Sequence, residues 1–228
     1  MILRAEDCTR QYAEQVALDG IDFACERGAF VAIYGPSGSG KTTLLNVLGT
    51  LDTPDGGTVR FDGVDVGSLS ERERDAIRAD RIGFVFQSFR LVPYLSAAEN
   101  VRLALWAAGI DGADDRVGAL LREVGLGGKT GRKPAELSHG ERQRVGIARA
   151  LIKRPDVVLA DEPTGNLDIE TGERILELMA RFNEEEGVTF VIATHDEAVA
   201  AGANEVLTIR DGSVSSEGMI PGVRDGPP

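Results

Sequence analysis

A short glycine-rich segment has the residue types and the spacing needed to bind phosphate. Gly35-Pro-Ser-Gly-Ser-Gly-Lys-Thr42 fits the pattern G-x-x-x-x-G-K-[ST] and lies between an apolar run, Phe30–Tyr34, and a helical run, Thr42–Leu51. The glycines let backbone N–H groups turn toward an anion, and the N-terminus of the following helix adds partial positive charge. We predict a phosphate loop in which Lys41 meets the β- and γ-phosphates of a nucleotide and the Thr42 hydroxyl meets Mg²⁺; a glycine-rich turn with an exposed lysine is the alternative. The residues predicted to surround the nucleotide here are Gly35, Pro36, Ser37, Gly38, Ser39, Gly40, Lys41, Thr42 and Thr43.

A pair of carboxylates follows a second apolar run. Val157–Ala160 has the composition of a strand buried on both faces of a parallel sheet, and Asp161 and Glu162 come directly after it. Ligands of open α/β sheets bind at the carboxyl ends of the strands. Asp161 suits a water bound to Mg²⁺, and Glu162 suits a general base that activates the attacking water. A solvated turn is the other interpretation of an isolated Asp-Glu pair.

Two further polar residues also end apolar runs. His195 follows Thr189–Thr194 and could hydrogen-bond a γ-phosphate, and Gln87 ends the predicted strand Ile82–Gln87. The Gln87 amide oxygen could occupy a Mg²⁺ position or a water position. Either residue alone could be structural, but four strand ends that present Lys, Gln, Asp-Glu and His together favour a catalytic site. The predicted catalytic residues are Lys41, Gln87, Glu162 and His195, and the predicted metal-binding residues are Thr42, Gln87 and Asp161.

The segment Leu137-Ser-His-Gly-Glu141 precedes a predicted helix, Arg142–Lys153. Ser138 and Glu141 have the S-x-x-E spacing of a capping box, in which each side chain bonds the backbone N–H of the other residue. The same helix N-terminus can also hold an anion, and Gly140 suits a close backbone approach, which capping alone does not explain. We therefore predict that Ser138, Gly140 and Glu141 take part in nucleotide binding.

Apolar runs of strand length alternate with helix-like segments, which indicates an α/β fold. The strand signals stop between residues 88 and 137, where amphipathic helices are predicted over Ala97–Ala108 and Asp114–Val124. We predict a single domain in which residues 1–87 and 138–214 form the core and residues 88–137 form an inserted helical lobe. Residues 215–228 are predicted to be a frayed tail.

Composition excludes several classes of protein. A chain of 228 residues with 42% hydrophobic and 27% charged residues can bury a core of its own. The net charge of −12 disfavours a general nucleic-acid binder, and no stretch is long and apolar enough to span a bilayer. The N-terminus lacks the pattern of a secretory signal, and the two cysteines, Cys8 and Cys25, are expected to be reduced thiols.

In this order, the motifs resemble those of the ATP-binding subunits of ABC transporters over about Ile2 to Val214. The phosphate loop resembles the Walker A motif, Val157–Glu162 the Walker B motif with its catalytic glutamate, and Leu137–Glu141 the family signature. Gln87 resembles the Q-loop residue, Gly165–Asp168 the D-loop and His195 the switch histidine. Tyr12 lies where the family places an aromatic ring that stacks on adenine.

The resemblance implies a P-loop NTPase core with a mainly parallel sheet, an N-terminal antiparallel β-subdomain and an inserted α-helical lobe. It also implies ATP and Mg²⁺ as cofactors, an ATP-dependent head-to-tail homodimer, an integral membrane permease as partner and no nucleic acid. The expected location is peripheral, on the cytoplasmic side of the plasma (inner) membrane. Three segments are similar to those of the lipoprotein-releasing, macrolide-exporting and cell-division branch: Gly83–Phe89, Ser96–Val101 and Ala160–Asp168. An ATPase that regulates cell division or the cell wall through a membrane partner, and transports nothing, is the alternative function.

Three features of the resemblance leave alternatives open. His139 stands where the signature usually has its first glycine, so it is either tolerated or adds a pH-sensitive contact to the nucleotide or the opposite subunit. Ser88–Leu95 either packs the helical lobe or receives a coupling helix of the permease. Trp106 is predicted to lie in the core of the lobe, and a contact to the permease is the alternative.

Overall fold

A computed structural model describes residues 1–215 of the protein. The predicted frayed tail therefore lies, apart from Ser215, outside the described residues. The strands are β1 (Leu3–Tyr12), β2 (Gln15–Cys25), β3 (Phe30–Tyr34), β4 (Gly56–Phe61), β5 (Val64–Asp65), β6 (Ile82–Val85), β7 (Val157–Asp161), β8 (Thr189–Thr194), β9 (Glu205–Arg210) and β10 (Ser213–Val214). The helices are α1 (Lys41–Leu48), α2 (Glu71–Asp80), α3 (Ala97–Ala107), α4 (Asp114–Glu123), α5 (His139–Leu151), α6 (Ile169–Glu186) and α7 (Glu197–Ala201).

The central sheet has six strands in the order β10-β9-β3-β8-β7-β6. The pairs β9–β3, β3–β8, β8–β7 and β7–β6 are parallel, and only the short β10 pairs antiparallel. Two interior strands, β7 and β8, are buried along nearly their whole length, as their largely apolar composition predicts. The predicted α/β class with a mainly parallel sheet is confirmed.

A second sheet is antiparallel and has the order β2-β1-β4-β5. Its strands come from the N-terminal third of the chain, and register shifts interrupt the long β1–β2 pairing. Alternate residues of β1 are buried, which is the pattern of a sheet with one face on a core. This sheet is the antiparallel N-terminal part of the predicted fold.

The chain between β6 and α5 forms two helices, α3 and α4, and no strand. Ser96 caps α3 through a capping box with Glu99, which fixes where the helix begins. The apolar face of α3 packs on α4 and α5, and α5 in turn packs on β6. Trp106 lies near the end of α3 with 72% of its surface exposed, so the prediction that it belongs to the core of the lobe is wrong. Leu105, its neighbour in sequence, takes the buried position on that helix.

The six-stranded sheet separates two hydrophobic cores. Phe30 and Ala32 of β3 point into the core shared with α3 to α6, whereas Val31 and Ile33 point into the core shared with α1 and the antiparallel sheet. This alternation is the two-residue period of a strand buried on both faces. None of the helices within residues 1–215 combines the length and the apolar character that a bilayer crossing needs.

Candidate nucleotide-binding site

The carboxyl ends of four adjacent parallel strands lie at one edge of the central sheet. The register pairs Tyr34 with Thr194, Ala193 with Asp161, and Ala160 with Val85. The segments that follow these strands begin side by side as a result. The phosphate loop follows β3, His195 follows β8, the two carboxylates lie at the end of β7, and Gln87 follows β6. Sequence reasoning expects these residues at one edge, and the structure places them there.

The phosphate loop joins β3 to α1 and is fixed largely by its own backbone. Gly40 is the N-cap of α1 and has φ +107°, a conformation that a side chain would strain. The Lys41 side chain is 6% exposed and folds back over the loop, where its Nζ donates to the carbonyl oxygens of Gly35 at 2.7 Å and Pro36 at 2.9 Å. A buried ammonium group therefore faces the concave side of the loop, where a phosphate would lie.

Thr42 and Asp161 form a pair of oxygen ligands next to the loop. The Thr42 hydroxyl lies 3.1 Å from each carboxylate oxygen of Asp161. The pKa of the Asp161 carboxyl is raised above its ordinary value, mainly by burial and further by the charge of Glu162. The hydrogen bond from Thr42 offsets part of this rise. Within residues 1–215 no cluster of three or more His, Cys, Asp or Glu side chains could hold a metal ion. One hydroxyl and one carboxylate fit Mg²⁺, which is usually bound by one or two protein oxygens together with water and substrate phosphates.

Glu162 contacts both other predicted catalytic side chains that flank the loop. Its Oε1 lies 2.7 Å from Nδ1 of His195 and 3.8 Å from Nζ of Lys41. The Glu162 side chain is 11% exposed, whereas that of His195 is 54% exposed. A largely buried carboxylate with one cation and one imidazole beside it can accept a proton from a bound water and be held in orientation while it does so.

Gln87 is not at the end of a strand, where the sequence predicts it. β6 ends at Val85, so Gln87 is in the loop that follows and is exposed. Its backbone oxygen accepts a hydrogen bond from Nδ2 of Asn166 at 3.2 Å, and its side chain makes no hydrogen bond within the described part of the chain. The structure thus leaves the Gln87 amide free for a ligand and does not bring it into contact with Thr42 or Asp161.

Tyr12 lies at the open end of the phosphate loop. It lines a cavity of about 230 Å³ together with Gln15, Ala17, Gly38, Gly40, Lys41, Thr42 and Thr43. The Tyr12 hydroxyl donates to Asp52, and the Arg10 guanidinium lies over the ring, 4.8 Å from its centroid. Arg10 also binds Asp52, so the ring is held at its hydroxyl and on one face. Neither partner was predicted from the sequence. Asp52 is forty residues away from Tyr12, and nothing in its neighbourhood marks it as a partner.

The signature segment, Leu137–Glu141, opens α5. The predicted capping box is present: the Ser138 hydroxyl accepts from the Glu141 N–H at 3.3 Å, and the Glu141 carboxylate accepts from the Ser138 N–H at 3.0 Å. Because Ser138 is the cap, the helix begins at His139 and not at the predicted Arg142. Lys129 and the capping bond lower the pKa of Glu141.

The packing of α5 on α6 gives a structural reason for glycine at position 140. Gly140 is buried against α6, and a Cβ atom at this position would lie 2.5 Å from Cγ2 of Thr171. Among residues 1–215 no hydrogen bond or ion pair joins the signature segment to the phosphate loop. The structure therefore brings Lys41, Thr42, Asp161, Glu162 and His195 together but keeps the signature segment separate from them.

Comparisons with known proteins show the family of this chain. The family model described as ABC transporter matches residues 18–165. The macrolide export ATP-binding/permease protein MacB of Syntrophobacter fumaroxidans is 51% identical over 88% of this chain, and the match spans 28% of that protein's length. The lipoprotein-releasing system ATP-binding protein LolD of Porphyromonas gingivalis is 43% identical over 95% of this chain and 100% of its own length.

Solved structures give the same result. The dimeric structure of a bacterial ABC transporter cassette superposes with a TM-score of 0.90, at 41% identity over 97% of this chain and 100% of that one. A dimer of the same cassette in a post-hydrolysis state, bound to ADP and Pi, has a TM-score of 0.89 at 40% identity.

Proposed function

The chain belongs to the ABC transporter family, and we propose that it is the ATP-binding and ATP-hydrolysing subunit of a transporter of the lipoprotein-release or macrolide-export type. The observation that carries this proposal is the contact of Glu162 with His195 at 2.7 Å and with Lys41 at 3.8 Å, beside a loop built for phosphate. A base, a cation and an imidazole in this arrangement suit the transfer of a phosphoryl group to water.

In the proposed reaction the γ-phosphate of ATP lies in the phosphate loop. Lys41 and the N-terminus of α1 stabilise the charge that spreads over its oxygens in the transition state. Glu162 takes a proton from the attacking water as the new bond to phosphorus forms and the bond to the leaving ADP oxygen breaks. His195 holds the Glu162 carboxylate through Nδ1, and it would donate to the γ-phosphate through Nε2 as the imidazolium, in which both ring nitrogens carry a proton.

Two further parts of the site position the nucleotide. Thr42, Asp161 and, after a movement of its loop, Gln87 would hold Mg²⁺, which neutralises phosphate charge when bound. Tyr12 would stack on adenine with the face of the ring that Arg10 leaves uncovered. The remaining loop residues from Gly35 to Thr43 would contact the phosphates and the ribose side of the cavity.

The separation of the signature segment from the phosphate loop supports a dimer as the active unit. If Ser138, Gly140 and Glu141 take part in ATP binding, a second subunit would supply them, since within residues 1–215 no hydrogen bond or ion pair joins them to the loop. In head-to-tail packing, each of two copies would supply its signature segment to the phosphate loop of the other. The result is a closed two-fold dimer with two complete sites. Both solved structures of the cassette of similar sequence are themselves dimers.

The membrane partner is proposed from the relatives. One is an ATP-binding/permease protein in a single chain, and the other is the ATP-binding protein of a lipoprotein-releasing system. We therefore place this subunit against a permease on the cytoplasmic side of the inner membrane. The net charge of −12 favours such a protein partner over nucleic acid.

Capture of the partner tests this proposal. The Glu162→Gln protein, incubated with Mg²⁺-ATP, is used to pull down proteins from detergent-solubilised membranes of its own organism, with Mg²⁺-ADP as the matched control. Recovery of a permease that depends on ATP would support the transporter function, and its periplasmic part would indicate the cargo. Recovery of a membrane protein that binds only cell-wall enzymes would favour the regulatory function, and recovery of soluble proteins or nucleic acid alone would overturn the transporter function.

A further inference from the structure

The turn that follows Gln87 is strained. Phe89 has φ +62° and Arg90 has φ +45°, so two successive residues with side chains adopt the left-handed conformation. The turn is tight, because the Phe89 N–H donates to Phe86 at 3.0 Å and the Arg90 N–H donates to Ser88 at 2.6 Å. Such conformations persist only where surrounding contacts hold them, and they cluster at functional sites.

One contact that holds the turn comes from Arg149, near the end of α5. Its guanidinium donates to the carbonyl oxygen of Arg90 at 2.6 Å and to that of Phe89 at 2.7 Å. Within residues 1–215 Arg149 forms no ion pair with a carboxylate, and burial together with the charge of Arg90 lowers its pKa. A half-buried cation without a counter-charge is costly, and these two bonds to the turn compensate for part of that cost.

The Phe89 ring is held by the other end of the same helix. His139 meets it in an edge-to-face arrangement, with ring centroids 5.9 Å apart at 62°, and the Arg142 guanidinium lies 5.5 Å from the ring centroid. Gly146 lies between the two ends, where an added Cβ would be 4.0 Å from the Phe89 carbonyl oxygen. Positions 139, 142, 146 and 149 are spaced by three, four and three residues, which is one stripe along a helix.

We propose that His139 is a positioning residue that locks the Q-loop turn, Phe86–Arg90, onto α5, so that the turn and the signature segment move as one body. The proposal rests on the proposed function, because only in the head-to-tail dimer do the two ends of this body serve different ATP sites. Gln87 would then approach the nucleotide of its own subunit when Ser138 and Gly140 engage the nucleotide of the other. The residue that departs from the usual signature thus provides a contact that glycine cannot make.

The contact has two features that incidental packing would lack. His139 is exposed, so its ring is not held in place by a core, and Phe89 is only partly buried. The Phe89 ring and the Phe89 backbone are held by separate side chains of α5, at opposite ends of the stripe. The helix therefore fixes both the position and the rotation of the turn.

Hydrogen exchange on the full chain tests the lock without any need for hydrolysis. Backbone amides of residues 86–91 are followed without nucleotide in the wild type and in the variants His139→Ala, His139→Phe and Arg60→Ala. Arg60 is an exposed residue of the antiparallel sheet and serves as the matched control. We expect exchange to be about fivefold faster in His139→Ala, the factor that loss of one aromatic contact gives, and unchanged in His139→Phe and the control.

Steady-state kinetics test the consequence for the reaction. His139→Ala should lower kcat about fivefold or more with less than about a twofold change in the KM for ATP, and His139→Phe should restore kcat. Adding His139→Ala to Phe89→Ala should have little further effect on either measurement, since the pair acts as a unit. Exchange in His139→Ala equal to that of the wild type would overturn the lock, and faster exchange with an unchanged kcat would overturn its positioning role. If the wild type hydrolyses no ATP, the proposed function fails, whereas the exchange result still decides whether the lock exists.

Discussion

Replacing Glu162 with glutamine separates the chemistry of the site from its shape. The amide has the size of the carboxylate, and its oxygen can still accept a hydrogen bond from His195 at the 2.7 Å separation of the structure. It cannot accept the proton of the attacking water. A general base contributes about 10² to 10⁴ in rate, so we expect kcat to fall by about that factor.

The affinity for ATP should not fall together with kcat. At 3.8 Å and an effective dielectric of about 20, the attraction between Lys41 and Glu162 is about 4 kcal/mol before the cost of desolvation is counted. In the glutamine variant Lys41 loses this competing partner, and the γ-phosphate no longer faces a negative carboxylate. ATP affinity should therefore be equal to or higher than that of the wild type. Because ATP holds two subunits together in the proposed dimer, the variant should accumulate as a dimer in the presence of ATP.

Three measurements check this prediction. Phosphate release gives kcat, calorimetric titration with Mg²⁺-ATP gives the Kd, and light scattering gives the mass with and without ATP. Glu197→Gln is the matched control, because Glu197 is an exposed glutamate only two residues beyond His195 and should behave as the wild type. A Glu162→Gln protein that keeps more than a tenth of the wild-type kcat, or that binds ATP as an active monomer, would refute the reasoning.

Three further outcomes follow from other contacts. Thr42→Ala should raise the Mg²⁺ concentration for half-maximal ATPase activity about tenfold, while Thr42→Ser, which keeps the hydroxyl, should not; equal Mg²⁺ dependence of both variants would remove Thr42 from the metal site. Gly140→Ala should cost about 1–3 kcal/mol of unfolding free energy, because the added methyl group would meet Cγ2 of Thr171 at 2.5 Å, and Thr171→Ser should recover most of this loss in thermal unfolding. Burial raises the pKa of Cys8 to about 11 and that of Cys25 to about 12. The folded state thus keeps protons that unfolded thiols lose from about pH 9 upward. The unfolding free energy should therefore fall there by up to about 1.4 kcal/mol per pH unit for each thiol. In urea titrations, Cys8→Ala and Cys25→Ala should each reduce this slope.

The parts of the fold that could be predicted are those with strong local patterns. β3, β7 and β8 are largely apolar runs, and the phosphate loop, the Asp161-Glu162 pair and His195 lie at their carboxyl ends. Since parallel strands align their carboxyl ends, the sequence also predicts that these residues meet. The predicted start of α3, Ala97, is the start in the structure, where Ser96 and Glu99 form a capping box, and a cap is a local interaction.

Other features depend on contacts between distant segments and have no local pattern. Trp106 was expected in a core, but the helix turns it to the surface, and only the tertiary packing of α3 decides which residues of that helix are buried. The bonds of Asp52 to Tyr12 and of Arg149 to Phe89 join positions about forty and sixty residues apart. Gln87 was expected at a strand end, yet β6 stops two residues earlier, where the strained turn begins.

The backbone at Glu162 explains how two adjacent carboxylates can serve one site. Successive residues of a strand point to opposite faces of the sheet, so an extended chain through Asp161 and Glu162 would direct only one of them toward the phosphate loop. Glu162 instead has φ +45°, and its N–H donates to the Ala193 carbonyl at 2.9 Å, which holds the turn against β8. The left-handed residue reverses the alternation and brings Glu162 to His195 and Lys41 while Asp161 stays with Thr42. A conformation of this kind costs about 1–3 kcal/mol, and the hydrogen bond to β8 together with the two side-chain contacts keeps it in place. Glutamate is not a residue type that signals a left-handed turn, so the sequence identifies the two carboxylates but cannot show the strain that lets them act together.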